Sequence, residues 1–410
     1  MALIVQKYGG SSVADAGAIR NVARRIADSK AACNRTVAVV SAMGNTTDDL
    51  IALAGQISDS PDPREMDVLL STGELVSCTL LAMAIRSMGT DAISLSGAQA
   101  GIKTDTGHGK ARIAMVDTSR INDELDRGRV VIVAGFQGVS DDMNVTTLGR
   151  GASDLSAVAI AAALGADRCE VYSDVEGIFT ADPRLVPDAR RLDEVGFEEM
   201  LEMASYGAKM APRSIEMAMV YDVPILVVSS FKEGPGTLIH KGDGMKFTVG
   251  EIRNHVRSIA ADSNVAKITI PGVPERTGSQ ASVFEPLTEA GISVDVIVQN
   301  VAVDGSADIS FTVERTDFSR AIRVAEKIAR DLSAGVPIGA DGLAKVSIVG
   351  TGMQNAPGYA SRMFRALADA EIAIEMISTS EIRITCLVAD TKIGDAARAL
   401  HAAFQLDRPS

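Results

Sequence analysis

Short apolar runs alternate along the first 240 residues with longer stretches in which apolar side chains recur every three or four positions. Leu3 to Gln6 reads as a strand, and Ala18 to Ser29 follows with helical spacing. Thr36 to Val40, β-branched except at Ala38, predicts the next strand. Leu69 to Ser87 reads as a long helix and Asp91 to Leu95 as a short strand. Val130 to Ala134 is wholly apolar and closed by Gly135, the mark of a buried parallel strand. Ser153 to Leu164 is helical, Cys169 to Ser173 a strand, Val195 to Ser205 and Pro212 to Tyr221 helical, and Ile225 to Val228 a strand. This alternation predicts an α/β sandwich around a mainly parallel sheet.

Beyond Val228 the pattern changes. Lys232 to Gly244 carries KEGPGT and KGDG and reads as a linker region. The remainder repeats itself. Ala266 to Ile270, a glycine loop, Gln280 to Ala290, Gly291 to Val298 and Asp308 to Val313 form one copy. Ala344 to Ile348, a glycine loop, Ala360 to Ala370, Glu371 to Ile377 and Glu381 to Val388 form the other. Phe284 and Phe364, Ala290 and Ala370, and Ile292 and Ile372 each lie 80 positions apart. A second helix closes each copy, at Phe318 to Leu332 and Ile393 to Phe404. Each copy therefore reads as a β-α-β-β-α unit with a four-stranded antiparallel sheet. The expected divisions are 1–240, a linker at 241–262, and repeats at 263–335 and 341–410.

Composition narrows the class. With 46% apolar and 23% charged residues in 410, the chain can build two or three cores and is neither disordered nor a membrane protein. A net charge of -13 disfavours nucleic acid as a partner. Cys33, Cys78, Cys169 and Cys386 are scattered and read as reduced core residues. No metal-ligand spacing occurs among the four His and four Cys. The opening MALIVQKYGGSS reads as a first strand, not a secretory signal, so a soluble cytoplasmic protein is expected, with no membrane partner.

The polar loops sit where strands end. Lys7-Tyr8-Gly9-Gly10-Ser11 is either a plain turn or a backbone nest for phosphate, with Lys7 placed to meet a transferring phosphoryl group. Ser41 to Thr47 closes the next strand with hydroxyls and a glycine. Glu74, in Ser71-Thr72-Gly73-Glu74, stands near an expected helix start, where it serves the helix dipole or pairs with an ammonium. Gly149-Arg150-Gly151-Ala152-Ser153-Asp154 is a ligand loop with a guanidinium suited to a carboxylate, although Ser153 or Asp154 could also cap the helix. Ser173-Asp174 and Thr180-Ala181-Asp182-Pro183-Arg184 follow a later strand, and Lys209 adds a second lysine.

In this order, KYGGS, SAMGNTT, TGE, GRGASD, YSDVEGI, TADPR and GAKM resemble the aspartokinases of the amino-acid kinase family over essentially the whole chain. Ala152 departs from the family's usual glycine and bears only on local backbone freedom. The resemblance implies a three-layer αβα amino-acid-kinase domain followed by two ferredoxin-like ACT domains. It implies transfer of the ATP γ-phosphate to the β-carboxylate of L-aspartate, the first step toward lysine, threonine and methionine, with Mg²⁺ carried on the nucleotide. By the same resemblance, Lys7, Gly9, Gly10, Ser11 and Lys209 hold phosphate, Glu74 binds the substrate ammonium, and Arg150, Gly151, Ser153, Ser41 and Thr47 bind its carboxylates. Ser173, Asp174, Phe179, Thr180, Asp182 and Arg184 line the nucleotide, and Asp154 orients the polar groups at the reaction centre.

In the repeats, the glycine loops run into helix N-termini suited to an amino-acid carboxylate. Gly278, Ser279, Gln280, Ser293, Asp295 and Gln299 in the first copy are the expected effector groups. Asn355, Ala356, Ser380 and Glu381 are their counterparts in the second. Lysine and threonine are the implied effectors. A homodimer or higher oligomer through these domains is expected, with a regulatory-only short subunit starting near Met245 as a family possibility.

Overall fold

The computed structural model describes residues 2–149, 151–205, 210–241, 256–301, 305–351, 353 and 357–408. They divide into two compact units. The first comprises the described residues up to 178, 191–205 and 210–241; the second comprises 179–190 and those from 256 onward.

In the first unit the chain runs β1 (Leu3–Tyr8), α1 (Ala16–Ala31), β2 (Arg35–Val40), α2 (Thr46–Ile57), α3 (Pro63–Ser87) and β3 (Ala92–Leu95). It continues through β4 (Ile102–Thr104), β5 (Ile113–Val116), α4 (Ser119–Asp126), β6 (Val130–Ala134), β7 (Gln137–Val139) and β8 (Val145–Thr147). It closes with α5 (Ala152–Leu164), β9 (Arg168–Ser173), β10 (Glu194–Gly196), α6 (Phe197–Ser205), α7 (Pro212–Tyr221), β11 (Ile225–Ser229) and β12 (Thr237–His240). The main sheet has eight strands in the order β10-β12-β11-β9-β1-β2-β6-β3 and is parallel except at β11–β12. A smaller sheet, β5-β4-β7-β8, stands apart from it.

The three layers follow from strand alternation. Ala38, Val40, Ile132 and Ala134 pack under Ile19, Val22 and Ile26 of α1 and Cys78, Leu81 and Ile85 of α3. On the other face, Val39 and Ser153 close so tightly on Gly135 that a Cβ there would meet both at 3.0 Å. Helix α5 is buried from Ala152 through Ala161, which explains its all-round apolar composition. Helix α3 is long and apolar enough to cross a membrane by length and composition. Here it packs on α1 and the sheet and carries the buried carboxylates of Asp67 and Glu74.

Several elements differ from the sequence pattern. Helix α3 begins at Pro63, six residues before the expected Leu69, because Asp62 caps it and Pro63 occupies its first turn. Glu74 is therefore in mid-helix. Val195, expected as helix, pairs in β10 with β12, and helical structure starts at Phe197. The Gly-rich stretch 232–244 contains a strand: Gly236, at φ +71°, turns β11 back into β12, and a Cβ there would lie 2.3 Å from the Val227 carbonyl oxygen. Cys33 is exposed, while the other three cysteines are buried.

The second unit contains β13 (Ser258–Pro274), α8 (Ser279–Glu289), β14 (Ile297–Val301), β15 (Ser306–Val313) and α9 (Phe318–Leu332). The same order returns in β16 (Ile338–Val349), α10 (Tyr359–Asp369), β17 (Met376–Ser380), β18 (Arg383–Ala389) and α11 (Ile393–Ala403). Strand β13 already runs from Ser258, inside the expected linker, and residues 179–190, expected with the first domain, fold with this unit. The repeats share one antiparallel sheet, β14-β15-β13-β16-β18-β17, instead of forming two separate ones. Each still has four strands around it, because the halves are exchanged. Residues 258–262 of β13 pair with β16 beside the second repeat, and 338–340 of β16 pair with β13 beside the first. Lys267 reaches Glu375 of the other repeat, and Lys345 reciprocally pairs with Asp295.

Candidate active site

Strand β1 lies between β9 and β2, so its C-terminal end opens at the centre of the parallel sheet, where such sheets bind ligands. A cavity of about 630 Å³ occupies this position. Lys7, Gly10, Ser41, Thr47, Glu74, Gly151 and Ser153, all singled out from the sequence, line it.

Lys7 is the penultimate residue of β1, in register with Val39 and Val171. Its Nζ lies 2.6 Å from Asp154 Oδ1, in an ion pair whose direction is not that of a hydrogen bond. Both side chains are about nine-tenths buried, at 13% and 10% exposure. Asp154 sits in the first turn of α5, and no side chain caps that helix. Asp154 therefore orients the lysine. Gly10 admits no side chain: a Cβ would stand 2.9 Å from the Ala42 carbonyl oxygen, and the Gly44 amide donates to the Gly10 carbonyl at 3.1 Å. The two loops are thereby locked backbone to backbone.

Helix α3 holds the second loop from below. The Ala42 amide donates to Glu74 Oε1 at 3.0 Å, and Ser77 Oγ donates to the Ser41 carbonyl at 2.7 Å. Glu74 is 3% exposed, and its Oε2 is buried without a hydrogen-bond partner. Burial pushes its pKa to about 7, against the opposing pull of the Ala42 amide. A buried carboxylate with one acceptor to spare, facing a cavity, is built to receive a cationic donor.

The remaining candidates are placed elsewhere. Ser11 is exposed on the short turn Gly10–Val13, and the Gly9 amide donates to the Tyr172 carbonyl. Ser173 ends β9, with its hydroxyl donating to Asp174 at 3.1 Å, and neither lines the cavity. Phe179, Thr180, Asp182 and Arg184 belong to the second unit. Thr180 is buried there, 2.9 Å from His401 Nε2, and Asp182 binds Arg184. Arg150 and Lys209 lie outside the described residues.

In the repeats, Gly278 caps α8 at φ +93°, Ser279 Oγ donates to the Pro274 carbonyl, and Gln280 donates to Gln299 at 3.0 Å. Asp295 is paired with Lys345, whereas Ser293, Ser380 and Glu381 are exposed. Asn355 and Ala356 are outside the described residues.

Phe136 and Asp67 are among the lining residues that the sequence pattern does not single out. Phe136 holds a left-handed backbone, φ +68°, with its amide bonded to Ser156 Oγ. Asp67 precedes Glu74 by two helical turns and is 1% exposed. The apolar spacing predicts the helix only from Leu69, so Asp67 falls outside it although α3 begins at Pro63.

Residues 2–229 match the amino acid kinase family, and residues 268–328 and 346–404 match the ACT domain. An aspartokinase of Mycolicibacterium smegmatis is 50% identical over 410 residues, spanning 99% of this chain and 97% of its own. The crystal structure of E. coli aspartokinase III with aspartate and ADP, an R-state, is 26% identical and covers 98% of this chain and 99% of its own, with a TM-score of 0.83. The T-state structure of aspartokinase III with lysine and aspartate has the same identity and coverage and a TM-score of 0.73.

Proposed function

This chain belongs to the amino acid kinase family, among its aspartokinases, and from that premise we propose that it transfers the γ-phosphoryl group of ATP to the β-carboxylate of L-aspartate. The products are 4-phospho-L-aspartate and ADP. The observation that carries this reading is the spare oxygen of Glu74 in the same cavity as the Lys7 ammonium. A carboxylate for an ammonium and a cation for a phosphoryl group are the two ends an amino-acid acceptor needs.

In this reading Glu74 takes the aspartate ammonium. Ser41, Thr47, Ser153 and the Gly151 backbone, with Arg150, hold its carboxylates. A β-carboxylate oxygen attacks the γ-phosphorus, and the bond to the β,γ-bridging oxygen breaks. The acceptor is already ionised at neutral pH, so no general base is assigned. Lys7, fixed by Asp154, and Lys209 neutralise the moving charge, while Gly9, Gly10 and Ser11 receive phosphate oxygens. Ser173 and Asp174 serve the nucleotide. Mg²⁺ comes with the nucleotide, on its phosphates.

The paired ACT domains are the regulatory part of the proposal, with lysine and threonine as inhibitors; the lysine-bound T-state of aspartokinase III supports an amino acid in that role. The test is ADP release measured with aspartate, glutamate and UMP as acceptors, repeated with lysine, threonine and both. Turnover confined to aspartate is expected. A preference for another acceptor, or no acceptor-dependent ADP release, overturns the reading.

A further inference from the structure

One wall of the acceptor cavity has no role in the scheme above. Residues 105–112 join β4 to β5, and their tip is fastened to Asp67. The Asp67 carboxylate is fully engaged. Thr147 Oγ1 donates to Oδ1, the Gly109 amide donates to Oδ1 and Oδ2 at 3.1 and 3.2 Å, and His108 Nδ1 lies 2.6 Å from Oδ2. Glu74 lies on the same helix, lines the same cavity and is equally buried, yet it keeps an oxygen free. Two carboxylates in one site thus have different duties. Glu74 can accept from a ligand, whereas Asp67 has its acceptors filled by protein donors.

Those donors come from two segments. Gly109 and His108 belong to the 105–112 loop, and Thr147 ends β8, which leads directly into the 149–154 loop. The Ala111 amide adds a bond to the Thr147 carbonyl at 2.9 Å. We infer that Asp67, acting with His108, is a positioning residue of the acceptor site: it pins the 105–112 loop and the end of β8 as one preformed wall against which aspartate is held. This rests on the acceptor reading above. Hydrogen bonds to a buried carboxylate are strong and costly to break, so the wall is set before substrate arrives.

The experiment uses the full-length enzyme with Asp67→Asn, His108→Ala and the double variant. Asp67→Asn is expected to raise the aspartate KM about tenfold or more, and His108→Ala about fivefold, with the ATP KM within about twofold of wild type. The double variant should be no worse than Asp67→Asn, because both act through one contact. Hydrogen exchange of the ligand-free protein supplies an arm independent of turnover: amides 105–112 should exchange faster in each variant, with α3 unchanged. Equal rises in both KM values, additive effects, or unchanged exchange at 105–112 overturn the inference. If wild type does not use aspartate, the acceptor reading falls and the exchange arm decides the positioning role alone. If Asp67→Asn does not fold, His108→Ala decides it, since that side chain is 21% exposed and tolerates truncation.

Discussion

Lys7 and Glu74 face one cavity in opposite electrostatic conditions: the cation already has a counter-charge in Asp154, and the carboxylate is left half unpaired. That asymmetry gives a pH prediction with a definite sign. Glu74 titrates at about 7 in the free protein because burial raises it. An ammonium ligand needs the ionised form, which dominates above that value. Lowering the pH through 7 should therefore raise the aspartate KM, by up to about tenfold per unit, while the ATP KM stays level. Glu74→Gln should raise the aspartate KM at pH 8 and abolish the slope; a slope that survives in the variant would assign it to another group. On the proposed chemistry, Lys7→Ala should lower kcat by about 10²-fold or more with unchanged circular dichroism, because the lysine would stabilise moving charge rather than fill a core. Near-normal turnover would remove Lys7 from the chemistry. Lys7 was legible in the sequence because glycines and polar residues directly follow an apolar strand there, whereas Glu74 stood out beside an expected helix start and sits instead in mid-helix. Asp67 was not legible, since an acidic residue outside a recognised helix gives no sign of burial.

Helix α3 shows what decides legibility at the scale of elements. Its apolar periodicity is strong from Leu69, but its start is set by Asp62, whose side chain accepts from the Arg64 and Glu65 amides at 2.9 and 3.2 Å. The first two turns, with Arg64, Glu65 and Asp67, are polar, so periodicity alone stops short. Asp62→Ala should cost about 1 kcal/mol, a melting decrease of about 2–4 °C, with both KM values unchanged. A shift in aspartate KM without a shift in melting would give Asp62 a part in the site instead. The small sheet β5-β4-β7-β8 was missed for a different reason: strands of three or four residues are too short to display a period of two. The repeats were read well because position-for-position similarity at a fixed offset does not depend on any one element. What similarity could not reveal was the exchange of strand halves, which depends on where β13 and β16 bend between registers.

At the scale of the whole molecule, the linear order of the sequence and the grouping in space part company at one segment. The chain leaves the first unit after Ile178, contributes Ala181 and Val186 to the core of the second repeat, and returns at Arg191. Within that core the Thr180 hydroxyl meets His401, the Thr180 carbonyl accepts from the Ile259 amide, and Arg398 donates to the Leu185 carbonyl. A segment that the motif order assigns to the nucleotide is thus structurally a part of the second repeat, and its order should follow the protonation of His401. Burial holds the His401 pKa below its ordinary value, with Arg190 adding to the effect and Asp407 and Asp188 opposing it. Burial favours the neutral imidazole in this contact. The stability it provides is complete above the unfolded-state pKa of about 6.5 and is lost as pH falls from there through the lower folded-state value. Between pH 7 and pH 5.5, amides 179–190 and those of α11 should therefore lose hydrogen-exchange protection in the wild-type chain. His401→Gln, which keeps an amide near Thr180 but cannot titrate, should show less of that loss. Equal pH dependence in the two proteins would place the sensitive group elsewhere in the unit.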